Sequence, residues 1–149
     1  MTVNTDTSTD VVPLPERSLG IMAQLGITLS DPEELSMLIA ERLALAATPE
    51  ELSDDGGENG WQRALGVPFT FRQVWWLPSS QAAGPGFYAC VDAVNVNTGE
   101  SAILTCGSIS VLVQLGRIMQ QGWNDKAWIL VRAERATSNG FYPLKLRLA

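Results

Sequence analysis

The side chains best suited to covalent chemistry are Cys90 and Cys106, the only two cysteines. Thr105-Cys106-Gly107-Ser108 sets a thiol just before a helix start, where thiolate is favoured. A thiol nucleophile needs a base, and the chain has no histidine. Cys106 also falls at the end of an apolar strand-like run, so the expectation is a buried, reduced thiol. Two cysteines without histidine cannot close a tetrahedral zinc site. Gly84-Pro85-Gly86 lacks the Lys-Ser/Thr pair and following helix of a phosphate loop. No pair of carboxylates converges on a recognisable site. These residues predict no enzyme, no metal and no cofactor.

A second kind of chemistry is non-covalent. Several strand-like runs alternate in polarity, so their side chains sort to two faces. In the first run Phe69, Phe71 and Trp75 are expected inward, with Arg72 and Trp76 outward. In the second, Phe87, Ala89, Val91 and Ala93 point in and Tyr88 and Asp92 out. In the fourth, Ala127, Ile129, Val131 and Ala133 form the inward set, leaving Trp128, Leu130, Arg132 and Glu134 outside. In the last, Tyr142, Leu144, Leu146 and Leu148 face in, with Phe141, Pro143, Lys145 and Arg147 out. The outward list interleaves rings with cations: Arg72, Trp76, Tyr88, Trp128, Arg132, Phe141, Lys145 and Arg147, with Arg135 beside the last turn. Rings on which bases stack and cations that track phosphates are what single-strand binding requires. The competing use of each ring is packing, under a loop or against an added helix.

The elements that position these residues follow one another in a definite order. Val67–Leu77 reads as a strand ended by Pro78, and residues 79–86 as a loop. Phe87–Val96 and Ser101–Cys106 are strands joined by the turn Asn97-Thr98-Gly99, whose residues tolerate positive φ. Ser108 starts a helix that runs to Gln121, with Val111, Leu112, Leu115, Ile118 and Met119 on one face and Gly122 as its stop. Ala127–Arg135 and Phe141–Leu148 are two more strands around the turn at 137–140. The order β-β-β-α-β-β is that of the OB-fold, in which the first-to-second and fourth-to-fifth strand loops flank the ligand groove. The fold expected is mainly β: an OB-like five-stranded barrel with an acidic helical N-terminal extension.

Three parts are expected: residues 1–17 as a disordered or extended tail, 18–60 as the helical extension and linker, and 61–149 as the OB-like domain. A short helix is expected around Ile21–Leu25. Ser30-Asp31-Pro32-Glu33 is a helix start, with Ser30 as the cap and Pro32 in the first turn. Leu35, Leu38, Ile39, Leu43 and Ala46 share its apolar face. Residues 1–60 carry twelve acids against two arginines, a balance of −10, while residues 61–149 carry eight bases against four acids, a balance of +4. Such asymmetry points to nucleic-acid contact by the basic part, or to an acidic arm kept for solubility.

With 149 residues, 46% of them hydrophobic, the chain can bury a single core. No apolar run approaches the ~18 residues of a membrane span. Met1–Asp10 has no basic or apolar leader, which predicts a cytoplasmic chain with reduced thiols.

From Val67 to Leu148 the chain resembles small OB-fold single-stranded DNA-binding proteins, including the short phage and plasmid versions. The resemblance lies in the element order, in the Thr105-Cys106-Gly107-Ser108 turn into Val111-Leu112-Val113-Gln114-Leu115, and in the aromatic-basic face. It implies a non-enzymatic binder of single-stranded DNA, with RNA as a second candidate. The alternative is a protein-binding module or inhibitor that acts through the acidic helix, with residues 30–55 meeting a protein partner. Edge strands and that helix also offer surfaces for a homo-oligomer.

Overall fold

Runs rich in β-branched and aromatic residues build one sheet, and three amphipathic helices cover it. The computed structural model describes residues 14–50, 58–60, 64–79, 84–132 and 144–149, with residues 58–60 as backbone only. The helices are α1 (Glu16–Leu25), α2 (Pro32–Ala44) and α3 (Ile109–Gln121), and a 3-10 turn follows at Trp123–Asp125. The strands are β1 (Glu58–Gly60), β2 (Pro68–Pro78), β3 (Phe87–Asn95), β4 (Ser101–Cys106), β5 (Trp128–Arg132) and β6 (Leu144–Leu148). They lie in the order β1-β4-β3-β2-β5-β6. All neighbours are antiparallel except β1, which runs parallel to β4.

The β-β-β-α-β-β order is therefore present, in a mainly antiparallel sheet. The described pairings leave that sheet open. β1 occupies the outer side of β4, and β6 forms the opposite edge. β5 meets β2 through only two residue pairs, Pro68–Ile129 and Phe69–Trp128. The β5–β6 hairpin is thus offset from the block made by β2, β3 and β4.

Both faces of the sheet are covered, by different helices. On the first face α3 packs Val111, Leu112, Leu115 and Ile118 against Phe69, Phe71, Phe87, Ala89, Val91, Leu104, Leu130 and Leu146. α1 lies beside α3 and adds Met22, with Ile27 just beyond its end. The two helices meet at Gly116, where a β-carbon would stand 2.9 Å from Leu25 Cδ1 and 2.9 Å from Ile27 Cδ1. Gly122 ends α3 at φ 73°, a conformation that costs other residues about 1–2 kcal/mol.

On the second face α2 places Leu35 against Trp75, Leu77, Cys90 and Ile103, with Leu38, Ile39 and Tyr88 at the margin. Asp31 caps α2, its Oδ1 accepting from Glu33 N at 3.0 Å. Ser30, the expected cap, does something else. Its N–H donates to Trp76 O and its Oγ accepts from Trp76 N, so it seals the edge of β2 where β5 is absent. Asn124 does the same lower down, donating from Nδ2 to Phe71 O at 2.9 Å. Arg42 of α2 donates to Asp92 of β3 at 2.7 Å. The indole N–H of Trp75 is buried under α2 with no acceptor among the described residues; a buried donor left unpaired costs about 1–3 kcal/mol.

Two expectations about faces are corrected. The first run does not keep a single alternation: the β2–β3 register slips between Phe71 and Gln73, a bulge that places Arg72 and Gln73 together. The slip reverses the phase beyond it. Trp76 turns into the main core and Trp75 into the core under α2. In β5 the phase is opposite to that expected. Leu130 is 1% exposed, while Ile129 and Val131 are half-buried on the other face. The reason is that α3 lies on the Trp128–Leu130 side, and the run Trp-Ile-Leu-Val is apolar in both phases. In β6, Leu144 and Leu146 are buried as expected, but Leu148 is 55% exposed at the strand end. α1 is longer than expected and starts within the segment assigned to the tail; Leu14, just before it, packs on the main core.

Candidate nucleic-acid interface

The β5–β6 ladder determines which way the cations of the hairpin point. Arg147 lies opposite Ile129, and Lys145 opposite Val131. These pairs share the face turned away from α3. Trp128–Leu148, Leu130–Leu146 and Arg132–Leu144 form the alternate pairs, on the α3 side. Lys145, Arg147 and Arg132 are all exposed. Arg72 is exposed on β2 and reaches across β3 to donate to Ser101 Oγ at 2.8 Å. Lys145, Arg147 and Arg72 lie on the same sheet face as α2, beyond the part that α2 covers.

Charge on this surface is unbalanced. Arg72, Arg117, Lys126, Arg132, Lys145 and Arg147 are exposed, and none has an acidic partner among the described residues. Acids are also exposed nearby, Glu100 before Ser101 and Asp125 before Lys126, while Glu33, Glu34 and Glu41 are exposed on α2; none is ion-paired to these cations among the described residues. Among the described residues these cations therefore meet solvent without an ion-pair partner.

The rings are redistributed relative to expectation. Trp76 is a core residue, its ring 6.2 Å from that of Phe87 and tilted by 57°. It is withdrawn from the candidate surface. Tyr88 is half-buried against the α2 layer. Trp128 packs partly on the main core, yet its edge reaches the surface, where Nε1 donates to Trp123 O at 2.9 Å. Arg135 and Phe141 lie outside the described residues, as does the turn at 137–140.

One aromatic escaped the sequence reading. Trp123, in the 3-10 turn after α3, is 40% exposed. The hydrogen bond from Trp128 brings residues 123 and 128 together, and Leu148 lies opposite Trp128 in the ladder. The signal was its position: a tryptophan immediately after a helix-ending glycine has no strand or helix phase to bury it. The structure thus brings Trp123, Trp128 and Leu148 to one end of the hairpin, with Arg147 next in the strand on the opposite face.

No protein family, curated protein or solved structure matches the chain. What the surface can do is argued from its own chemistry.

The cysteines stand apart from it. Both are buried and neither forms a disulfide. In the β3–β4 ladder Cys106 lies opposite Ala89, and Cys90 opposite Thr105. Cys106 packs in the main core and Cys90 under α2. The two thiols point to opposite faces and cannot bond without rebuilding the sheet. Burial pushes the Cys106 thiol up, against a smaller lowering by a backbone hydrogen bond at Ser108. Among the described residues no group of three or more metal-ligating side chains gathers, and no helix is long and apolar enough to cross a membrane.

Proposed function

We propose that the chain is a cytoplasmic, non-enzymatic binder of single-stranded nucleic acid, DNA in preference to RNA, and that the β5–β6 hairpin is its binding element. The observation that carries the reading is the set of exposed cations without an ion-pair partner among the described residues, on a hairpin whose end carries two partly exposed indoles. Arg147, Lys145 and Arg72, on the face turned away from α3, would neutralise phosphates, and a strand passing round the end of the hairpin would reach Trp123 and Trp128 for stacking and Arg132 on the α3 side. An OB-like function does not require full closure. OB-folds are partly open barrels that bind on a sheet face and its flanking loops.

Titration of tryptophan fluorescence with oligo-dT tests this. Trp75 and Trp76 are buried, so quenching among the described indoles arises from Trp123 and Trp128. Three or four phosphate contacts at ~0.7 per phosphate give a slope of log K against log salt of about −2 to −3. An unchanged spectrum at low salt with micromolar protein rejects the proposal.

A second reading draws on α2, whose outer side exposes Met37 at 60%, with Leu45 at 82% just beyond its end, beside Glu33, Glu34 and Glu41. That surface suits a basic, partly apolar protein partner. Substituting Met37 and Leu45 by Ser tests it. Removal of residues 1–60 does not, because it strips Met22, Ile27 and Leu35 from the two cores.

A further inference from the structure

Lys145 and Arg147 flank Leu146, and Leu146 is held by a side chain from another element. Gln114 of α3 donates from Nε2 to Leu146 O at 2.9 Å, and Leu146 N donates to Gln114 Oε1 at 2.7 Å. A primary amide carries a donor and an acceptor side by side, as a peptide group does. Gln114 therefore bonds the outer edge of β6 as a neighbouring strand would.

Other ties between the hairpin and the rest of the backbone are few. β5 shares two residue pairs with β2, and Gly66 N donates to Leu130 O at 3.0 Å. All of these act on β5. Within the ladder β6 is held only by β5, so the described hydrogen bonds from outside the hairpin reach β6 through Gln114 alone. Rotation of the Leu146 peptides turns both neighbouring residues, because successive side chains alternate across the strand.

We propose that Gln114 is a positioning residue for nucleic-acid binding: by clamping Leu146 it fixes the direction in which Lys145 and Arg147 present their charges. The inference rests on the binding function proposed for the hairpin. Gln114 itself reaches from α3 to the strand edge, and its part in binding is indirect. Its contribution is pre-organisation. Two long cationic side chains on an anchored strand lose less freedom on binding than the same pair on a loose one.

The test is a double-mutant cycle read by oligo-dT titration of the full chain. Gln114→Met keeps the length of the side chain and removes both hydrogen bonds; Gln114→Ala is the second variant, and thermal melts confirm that each is folded at the assay temperature. Gln114→Met should weaken binding roughly three- to tenfold. In a Lys145→Ala/Arg147→Ala background the same substitution should change affinity by less than about twofold, since there are no charges left to position. Equal weakening in both backgrounds would mean a general structural role and overturns the proposal. Unchanged affinity of Gln114→Met in the otherwise native chain also overturns it, while leaving the binding function intact. Failure of the native chain to bind oligo-dT removes the binding function, and the positioning role with it.

Discussion

Replacement of Arg42 by methionine should destabilise the protein through the group it leaves behind. The Asp92 side chain is 9% exposed and that of Arg42 29%, with 2.7 Å between Nη2 and Oδ1. Methionine retains the apolar stem under α2 but removes the only described counter-charge of a buried carboxylate. Exposed ion pairs are worth about 0.2–1 kcal/mol, whereas loss of one partner from a buried pair costs about 3–5 kcal/mol. Partial exposure of Arg42 places this pair between the limits, at about 2 kcal/mol. At this chain length that corresponds to a fall in Tm of about 6–8 °C. Asp92→Asn should cost less, about 1 kcal/mol, because the guanidinium left behind is partly solvated. Arg42→Met combined with Asp92→Val should recover most of the loss, since Asp92 sits between Val91 and Ala93 in an apolar strand. Urea melts followed by circular dichroism supply the numbers. A loss below about 0.5 kcal/mol for Arg42→Met, or a double variant less stable than the single one, refutes the argument.

Other substitutions separate packing from binding. Trp76→Ala should cost about 3–5 kcal/mol in urea melts, whereas Trp123→Ala should leave stability within about 0.5 kcal/mol and weaken oligo-dT binding at least fivefold, in line with ~1–3 kcal/mol per stacked base. Gly116→Val should destabilise by about 1–3 kcal/mol, because its β-carbon meets the methyl ends of Leu25 and Ile27; a silent substitution would show that α1 does not seat on α3. The raised thiol of Cys106 favours its protonated form in the native state. Its contribution is therefore complete below the ordinary thiol value of 9.0 and is lost as pH rises above it; stability measured from pH 8 to 10.5 should fall less steeply in Cys106→Ala. Thiol-specific reagents at neutral pH should label neither cysteine until the chain unfolds.

Much of the sheet could be read from alternation and turn residues. Asn97-Thr98-Gly99 marks a hairpin, Gly122 a helix end, and Leu144 and Leu146 an inward pair, because each depends on local chemistry. The errors came where a local rule meets a non-local choice. The adjacent polar pair Arg72-Gln73 breaks the alternation at the bulge, but Val74-Trp75-Trp76-Leu77 is apolar in both phases, so strict alternation puts Trp76 on the wrong side. In Trp128–Val131 both phases are apolar, and only the seat of α3 decides between them. Closure into a barrel depends on whether β4 pairs with β6 or with another segment, and Glu58–Gly60 gives no strand signal that would reveal the competition. The cations fared better than the rings. Lys145 and Arg147 cannot be buried cheaply, so their exposure follows from residue type alone.

Ser30, Asn124 and Gln114 close the open seams of the sheet with a hydroxyl and two amides, none of which ionises near neutral pH. The absence of histidine removes the most common titrating group in that range as well. Salt, which screens the attraction between cations and phosphates, therefore acts on Lys145, Arg147 and their neighbours while leaving these seams intact. A hairpin that binds as proposed would keep its shape when salt strips the ligand away, so repeated loading and release should show no hysteresis.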